Sequence, residues 1–187
     1  ACGYRLYKVY QTDGSIDADR SVYEVFQAYN DEIIWATGRN YYHTGSQDGV
    51  MEENTTPRDL YKGWAHVCVT QESVDGFFMK DGLTIDDPGT GYDESGFTEV
   101  VNPCNDRKRT DKNIFTMYAD REPRFYASIA ADRCYWQRGK DAAQNLIVKA
   151  YRGEQFGTHT PIINNSYPQN LSGYWLKKGS YSNVSTR

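Results

Sequence analysis

The chain has 187 residues, of which 39% are hydrophobic and 14% aromatic, and its formal net charge is -4. This length supports one hydrophobic core. The acidic balance argues against a nucleic-acid partner, because such binding draws its affinity from clustered Lys and Arg. No apolar run approaches the ~20 residues of a membrane-spanning helix, and no basic start followed by an apolar stretch indicates a signal peptide.

The first predicted element is an amphipathic helix over residues 19–30. Asp19 is a candidate N-cap. Apolar side chains recur at helical spacing in Val22, Val25, Phe26 and Tyr29. The next stretch, EIIWA at 32–36, is short and apolar, which predicts a buried strand. Trp35 closes this strand, so we expect it in the core.

A long polar segment, residues 37–63, follows. It is rich in Gly, Tyr and amide side chains. A loop of this length inside a compact domain is usually either functional or disordered, and the aromatic and amide content favours a function.

The segment after this loop predicts a strand and a helix. WAHVCV at 64–69 can form the strand, and residues 70–82 form the helix, with Thr70 as its cap. The helix ends near Gly82, and its predicted buried side chains are Val74, Phe77 and Phe78. Gly76 lies inside it, which predicts close packing against a neighbour because Gly otherwise weakens a helix.

A second helix and strand are predicted around a proline. Residues 111–125 start at a capping Asp111 and place Ile114, Met117 and Tyr118 on one face, and Pro123 ends the helix. Residues 124–131 alternate between apolar and polar side chains, which is typical of a half-buried strand.

The corner between these two elements carries charged side chains. Arg121, Glu122 and Arg124 lie there, and guanidinium groups can tie loop carbonyls and carboxylates together. We therefore interpret them as structural staples. Further strands are predicted at 145–151 and 173–178. The fold class is accordingly mixed, with helices, short strands and long loops in one unit over residues 1–187.

Four stretches of the sequence together resemble one known family. They are NDEIIWA (30–36), VTQESVDGFFMKDG (69–82), MYADREPRFYASIAADRCYW (117–136) and SGYWLKK (172–178). The family is SusD/RagB, the cell-surface lipoproteins of Bacteroidetes that capture glycans beside a TonB-dependent outer-membrane transporter. The resemblance is clearest over residues 19–178.

The resemblance implies that the chain is an internal segment of a longer protein. Complete members begin with a lipoprotein signal and paired helices of tetratricopeptide type, and they end in a helix-rich segment; we expect neither flank in this chain. The complete fold would be a mainly α-helical superhelix with a loop-rich ligand-binding part. The resemblance also implies a surface location on the outer membrane, attachment through a lipid anchor and a SusC-like transporter as partner.

The long loop supplies the predicted ligand contacts. Sugar recognition needs aromatic faces for the rings and hydrogen-bonding side chains for the hydroxyls, and in the resembled family the loops after the EII strand often touch the glycan. We expect stacking by Tyr41, Tyr42 and Trp64. We expect hydrogen bonding by Arg39, Asn40 and Asp48. The predicted function is glycan binding and delivery to the transporter, with no chemical step and no cofactor; the particular glycan, or a peptide in its place, stays open.

Two other functions stay open at this level. The protein could be a scaffold or gating lid of the transporter that binds no glycan itself, with its aromatic residues at the interface. A glycoside hydrolase would need two carboxylates, such as Glu52 with Glu53 or Asp86 with Asp87. Such neighbours point to opposite sides of an extended chain, and we expect no enzyme.

Metal binding has little support in the sequence. The cysteines and histidines show no spacing typical of structural zinc, and no disulfide scaffold is indicated. The acidic run 81–94 predicts a solvated loop, with weak calcium binding as a side possibility because oxygen ligands are plentiful there.

Overall fold

The computed structural model describes residues 3–27, 29–35, 55–57, 67–99, 114–136, 146–151, 153–154, 156 and 170–178. In these residues the fold combines short helices with two-stranded antiparallel ribbons and long loops, so the predicted mixed class is confirmed. No helix in this part of the chain is both long and apolar enough to cross a membrane.

The elements are short, and most of the described chain connects them. The helices are α1 (Ala18–Glu24), α2 (Gln71–Asp75) and α3 (Pro123–Ser128), with a 3-10 turn at Thr116–Tyr118. The strands are β1 (Phe97–Thr98), β2 (Ile114–Phe115), β3 (Ile129–Ala130), β4 (Tyr135–Trp136), β5 (Leu146–Ile147) and β6 (Trp175–Leu176). They pair as β1 with β2, β3 with β6 and β4 with β5.

Helix α1 is shorter than predicted and starts earlier. Its N-cap is Asp17, whose Oδ1 accepts from the Arg20 N–H at 3.0 Å, and not Asp19. The helix stops at Glu24, and Phe26 and Tyr29 are exposed, so their predicted place on a buried helical face is wrong. Past the helix, the Asn30 side-chain amide donates to the Val25 carbonyl at 2.8 Å, which holds this segment in a turn.

Helix α2 begins as predicted and ends early. Thr70 is its N-cap, and Val74 is fully buried. The helix ends at Asp75 because Phe78 donates its N–H to Glu122, 44 residues away, and the chain turns there. A Cβ on Gly76 would lie 3.5 Å from the Glu72 carbonyl oxygen, an ordinary contact, so the predicted close packing is wrong.

The segment 114–130 reverses the predicted order of helix and strand. Ile114 starts a strand, and the helix α3 begins at Pro123, where the prediction placed a helix end. Proline suits the first helical position because its fixed φ is already helical and its missing N–H is not needed. The predicted strand over 124–131 is confirmed only at Ile129–Ala130, which form β3, and is wrong before them, where the chain is helical. The alternation does not separate core from solvent, because all residues from Phe125 to Ala131 are buried.

The core forms around β6. Trp175, which is 1% exposed, pairs with Ala130 of β3 on one side and bridges to Cys68 on the other. Cys68, within the predicted strand 64–69, therefore adds a third segment at this point, and the predicted strands at 145–151 and 173–178 contain β5 and β6. The turn and helix of segment 116–128 pack on this centre and complete one contiguous cluster of buried residues.

Candidate functional site

The predicted ligand-binding side chains lie outside the described residues. They are Arg39, Asn40, Tyr41, Tyr42, Asp48 and Trp64. Their roles stay predictions. The described residues on both sides of the loop do show how the chain enters and leaves it.

The chain enters the loop through an exposed turn at residues 29–35. Asn30 organises this turn, because its carbonyl accepts from the Ile33 N–H at 3.1 Å and its side-chain oxygen accepts from the Glu32 N–H at 3.1 Å. No strand forms over 29–35, so the predicted buried strand is wrong within these residues. Local polar contacts, and not apolar burial, hold the segment.

Trp35 is on the surface and not in the core. Its residue exposure is 81%, and that of Tyr29, at the start of the same turn, is 75%. The prediction placed Trp35 in a buried strand and Tyr29 on a buried helical face, but an apolar pattern leads to burial only where other elements cover it. An indole exposed to this extent, directly before the predicted ligand loop, has the flat apolar face that a sugar ring requires.

The chain leaves the loop into the rigid core. Val69 donates its N–H to the Tyr174 carbonyl at 3.3 Å, and Cys68 forms its bridge with Trp175. Between entry and exit, Thr55, Thr56 and Pro57 are buried. At the exit, Trp64 lies four positions before Cys68, the half-buried residue that bridges to Trp175.

Arg121 ties the corner beside this exit. It is 1% exposed, and its Nη2 donates to the carbonyls of Val74 and Phe77, both at 2.7 Å. Its guanidinium also lies 5.2 Å from the Phe125 ring centre. Burial lowers the pKa of Arg121 from its ordinary value. Since the core holds this side chain on all sides, its predicted role as a structural staple is confirmed.

The neighbouring charges complete the corner. Glu122 accepts the Phe78 N–H at 3.0 Å and pairs with Arg124, whose Nε lies 2.6 Å from its carboxylate. Tyr126 donates its hydroxyl to the Tyr118 carbonyl at 2.7 Å and accepts the Arg121 N–H at 3.2 Å. These bonds use the polar groups for support, so they are not free to hold a ligand.

A chain of hydroxyl groups links the core to helix α2. Tyr174 donates to Gln71 Oε1 at 2.6 Å, and the Tyr118 hydroxyl lies 2.9 Å from that of Tyr174. Because each hydroxyl has one proton, Tyr118 is the donor in this second bond. Burial raises the pKa of Tyr118 and that of Tyr174, which keeps both hydroxyls protonated. The two hydroxyl groups therefore position α2, and neither serves as a catalytic base.

A buried carboxylate, such as that of Asp132, is a feature of many active sites. Asp132 is 6% exposed, accepts the Ala150 N–H at 2.7 Å and lies 3.3 Å from Arg133 Nε. Burial raises its pKa. Glu154, a carboxylate whose charge also raises the pKa of Asp132, is bound to Arg133 at 2.7 Å. This cluster holds residues 148–151 and 154 against β3 and β4. It does not present two carboxylates to a substrate.

The other candidates for catalysis or metal binding do not form a site in the described residues. Asp87 accepts from both the backbone and the hydroxyl of Thr84, and these bonds lower its pKa. Burial raises the pKa of the Cys134 thiol to about 11. Glu52 and Glu53 lie outside the described residues. Within them, no group of three His, Cys, Asp or Glu residues is placed to hold a metal ion.

The chain is similar to known proteins both in its sequence pattern and in its fold. The SusD family model matches residues 31–187. No curated protein is significantly similar in sequence. A solved structure described as "selenomethionine BT4246" is similar in fold, with a TM-score of 0.62 and 16% sequence identity. That likeness covers 97% of this chain and 31% of the other, so this chain spans about a third of that protein's length.

Proposed function

The chain belongs to the SusD family, and from this premise we propose that it is part of a cell-surface glycan-binding protein. It captures a poly- or oligosaccharide and delivers it to a SusC-like TonB-dependent transporter. The observation that carries the proposal is the match of the family model to residues 31–187, because this range contains the whole predicted ligand loop.

The exposed aromatic residues at the loop entrance support binding of a glycan. Tyr29 and Trp35 are 75% and 81% exposed. Exposed apolar surface of this kind is typical of a binding site, and a pyranose ring presents a C–H face that stacks on it. The proposed stacking residues are therefore Trp35, Tyr41, Tyr42 and Trp64. The proposed hydrogen-bonding residues are Arg39, Asn40 and Asp48.

We propose that binding is the whole activity of the protein. Arg121, Asp132 and Tyr118 are buried groups with shifted pKa values, and all three are bound into the core, which supports a role in holding the fold. Capture is then an equilibrium, and several weak contacts along one polysaccharide give retention by multivalency. The complete protein is a lipoprotein attached to the surface of the outer membrane.

A second candidate is a scaffold or gating lid of the transporter that binds no glycan itself. The observation in its favour is the exposure of aliphatic side chains, 73% for Ile34 and 77% for Leu171. Aliphatic side chains offer no flat face to a sugar, but they suit a protein interface.

Native affinity electrophoresis tests the proposal. The folded chain, checked by circular dichroism, is run through gels that contain starch, xylan, β-glucan, mannan, pectin or mucin. We expect retardation by at least one polysaccharide. Trp64→Ala and Trp35→Ala should each lower the affinity about five- to tenfold, the value of one aromatic contact.

Leu171→Ala is the control, because it removes a side chain of similar exposure that has no ring. Retardation that is unchanged in both Trp variants would contradict the proposed site. Absence of retardation in every gel, together with capture of the transporter, would favour the scaffold.

A further inference from the structure

A groove outside the predicted loop lies between the N-terminal segment and the turn at residues 30–31. It encloses about 660 Å³, within the roughly 300–1,000 Å³ of small-molecule sites. Its walls are formed by Arg5, Leu6, Tyr7, Lys8, Tyr10, Asn30 and Asp31. The structural roles described above use only Asn30 of these residues.

Polar bonds from alternate residues hold the N-terminal segment in place. The Arg5 N–H donates to the Asp31 carbonyl at 3.2 Å, and the Tyr7 N–H donates to Glu32 Oε2 at 2.7 Å. The Val9 N–H donates to Ser21 Oγ at 2.9 Å. This period of two is that of an extended chain. The groove is therefore bounded by a segment fixed at three successive points.

The groove combines aromatic faces with paired charges. Tyr10 is 57% exposed, and Tyr7 is half-buried. Beside them, Arg5 Nε binds Asp31 Oδ2 at 2.8 Å, which leaves the terminal nitrogens of the guanidinium and the second carboxylate oxygen for other bonds. Sugar hydroxyls both donate and accept, so a guanidinium and a carboxylate side by side suit them together.

We propose that this groove is a second carbohydrate-binding subsite, which extends the ligand surface away from the loop at 37–64. The inference rests on the proposed function. The turn that carries Asn30 and Asp31 continues directly to the exposed Trp35, so one oligosaccharide chain can contact both regions. The chain accordingly prefers oligosaccharides of several units to disaccharides.

The backbone edge of the N-terminal segment offers an alternative ligand for the groove, an extended peptide. Lys8 argues against it. It is exposed and lines the groove, and a lysine on an exposed edge discourages the addition of another strand. The Arg5 and Asp31 pair also places charge beside the backbone groups that such a peptide would need.

The experiment is isothermal titration of the full chain with matched hexasaccharides and disaccharides from starch, xylan, cellulose, mannan and pectin. Tyr10→Ala should weaken binding of the hexasaccharide about five- to tenfold and leave that of the disaccharide unchanged. Lys8→Ala, at an exposed side chain, is the second groove variant and should weaken hexasaccharide binding about two- to threefold. Tyr4→Ala is the matched control, because Tyr4 has 51% exposure against 57% for Tyr10 but does not line the groove.

The outcomes separate this inference from the proposed function. If Trp64→Ala abolishes binding of both the hexasaccharide and the disaccharide while Tyr10→Ala and Lys8→Ala have no effect, the groove is not a subsite. The proposed function is then unaffected. Binding of no oligosaccharide by the unmodified chain overturns both. Leu6→Pro removes a backbone donor from the edge; binding of an unglycosylated peptide by the unmodified chain that is lost in this variant would indicate a peptide and overturn the proposal.

Discussion

Arg121 joins segments that are distant in the sequence, because its guanidinium reaches carbonyls 44 and 47 residues earlier in the chain. A planar group with several donors can hold two carbonyls at once, whereas the ammonium of lysine is a compact point charge. The residue therefore holds the end of α2 and the turn after it.

Replacement of Arg121 should be costly. We expect Arg121→Ala to lower the free energy of unfolding by about 2–4 kcal/mol, because it leaves buried carbonyls without donors. Arg121→Lys should recover only part of the loss. The measurement is urea unfolding followed by circular dichroism. Arg124→Ala, at an exposed ion pair, is the control and should change stability by no more than about 0.5 kcal/mol. An equal loss of unfolding free energy in both Ala variants would contradict the structural role of Arg121.

Asp132 should make stability depend on pH. Burial raises its pKa in the folded state above the ordinary 3.8, against the opposing effects of the Ala150 N–H and Arg133. The folded state then holds the proton more tightly than the unfolded chain. The resulting contribution to stability is present below pH 3.8 and is lost as pH rises through the raised pKa.

Asp132→Asn tests this dependence. The side chain at position 132 of the variant cannot ionise. As pH rises across this window, the free energy of unfolding of the unmodified chain should therefore fall relative to that of the variant. Urea unfolding of both proteins at about pH 3–7 measures the difference. A constant difference over the range would show that burial does not perturb this carboxyl.

The elements of the fold are too short to be stable alone. Helix α2 has five residues, far fewer than the ~12–15 that an isolated helix needs. Its two ends depend on specific groups: Thr70 Oγ1 accepts the Ser73 N–H at 3.3 Å at the start, and Arg121 binds the carbonyls at the end. Loss of either group should therefore weaken the whole element.

The N-cap of α2 gives a direct test. Thr70→Ala should lower the free energy of unfolding by about 1 kcal/mol, because the N–H of Ser73 loses its acceptor. Thr70→Ser keeps the hydroxyl and should retain most of the stability. Thermal unfolding of the three proteins makes the comparison. An effect of the same size in the Ser variant would mean that the methyl group, and not the cap, matters.

At the scale of the whole molecule, exposed and buried aromatic residues occupy different parts of the described chain. The N-terminal part, up to Trp35, contains many of the exposed large side chains, whereas residues 114–136 and 174–177 contain most of the core. The interior is built by strands and helices that meet around Trp175. The surface rich in apolar groups is that of the proposed ligand site.

The two tryptophans at the extremes of exposure should behave differently. Trp175→Ala removes a side chain that is 1% exposed and should cost about 3–5 kcal/mol of stability. Trp35→Ala removes one that is 81% exposed and should change stability by no more than about 0.5 kcal/mol. Urea unfolding measures both. A large loss in Trp35→Ala would restore the prediction that this residue is in the core.

The sequence by itself predicted the mixed fold class, the Thr70 cap, the core position of Val74 and the Arg121 staple. These features depend on short-range patterns or on chemistry that requires a partner wherever it is buried. The family was also recognisable, because its four stretches keep their order along the chain. The predicted ligand residues depend on the same resemblance and still await the binding experiments.

Only the tertiary structure decided where each apolar run lies. The stretch around Trp35 and the stretch from Phe125 to Ala131 are both apolar in sequence, yet one is exposed and the other is buried on all sides. The difference arises because β6 pairs with β3 and helix α1 packs against helix α3 in the second stretch, while the first is held by its own turn bonds. Burial is a property of what packs against a segment, and distant residues supply that cover.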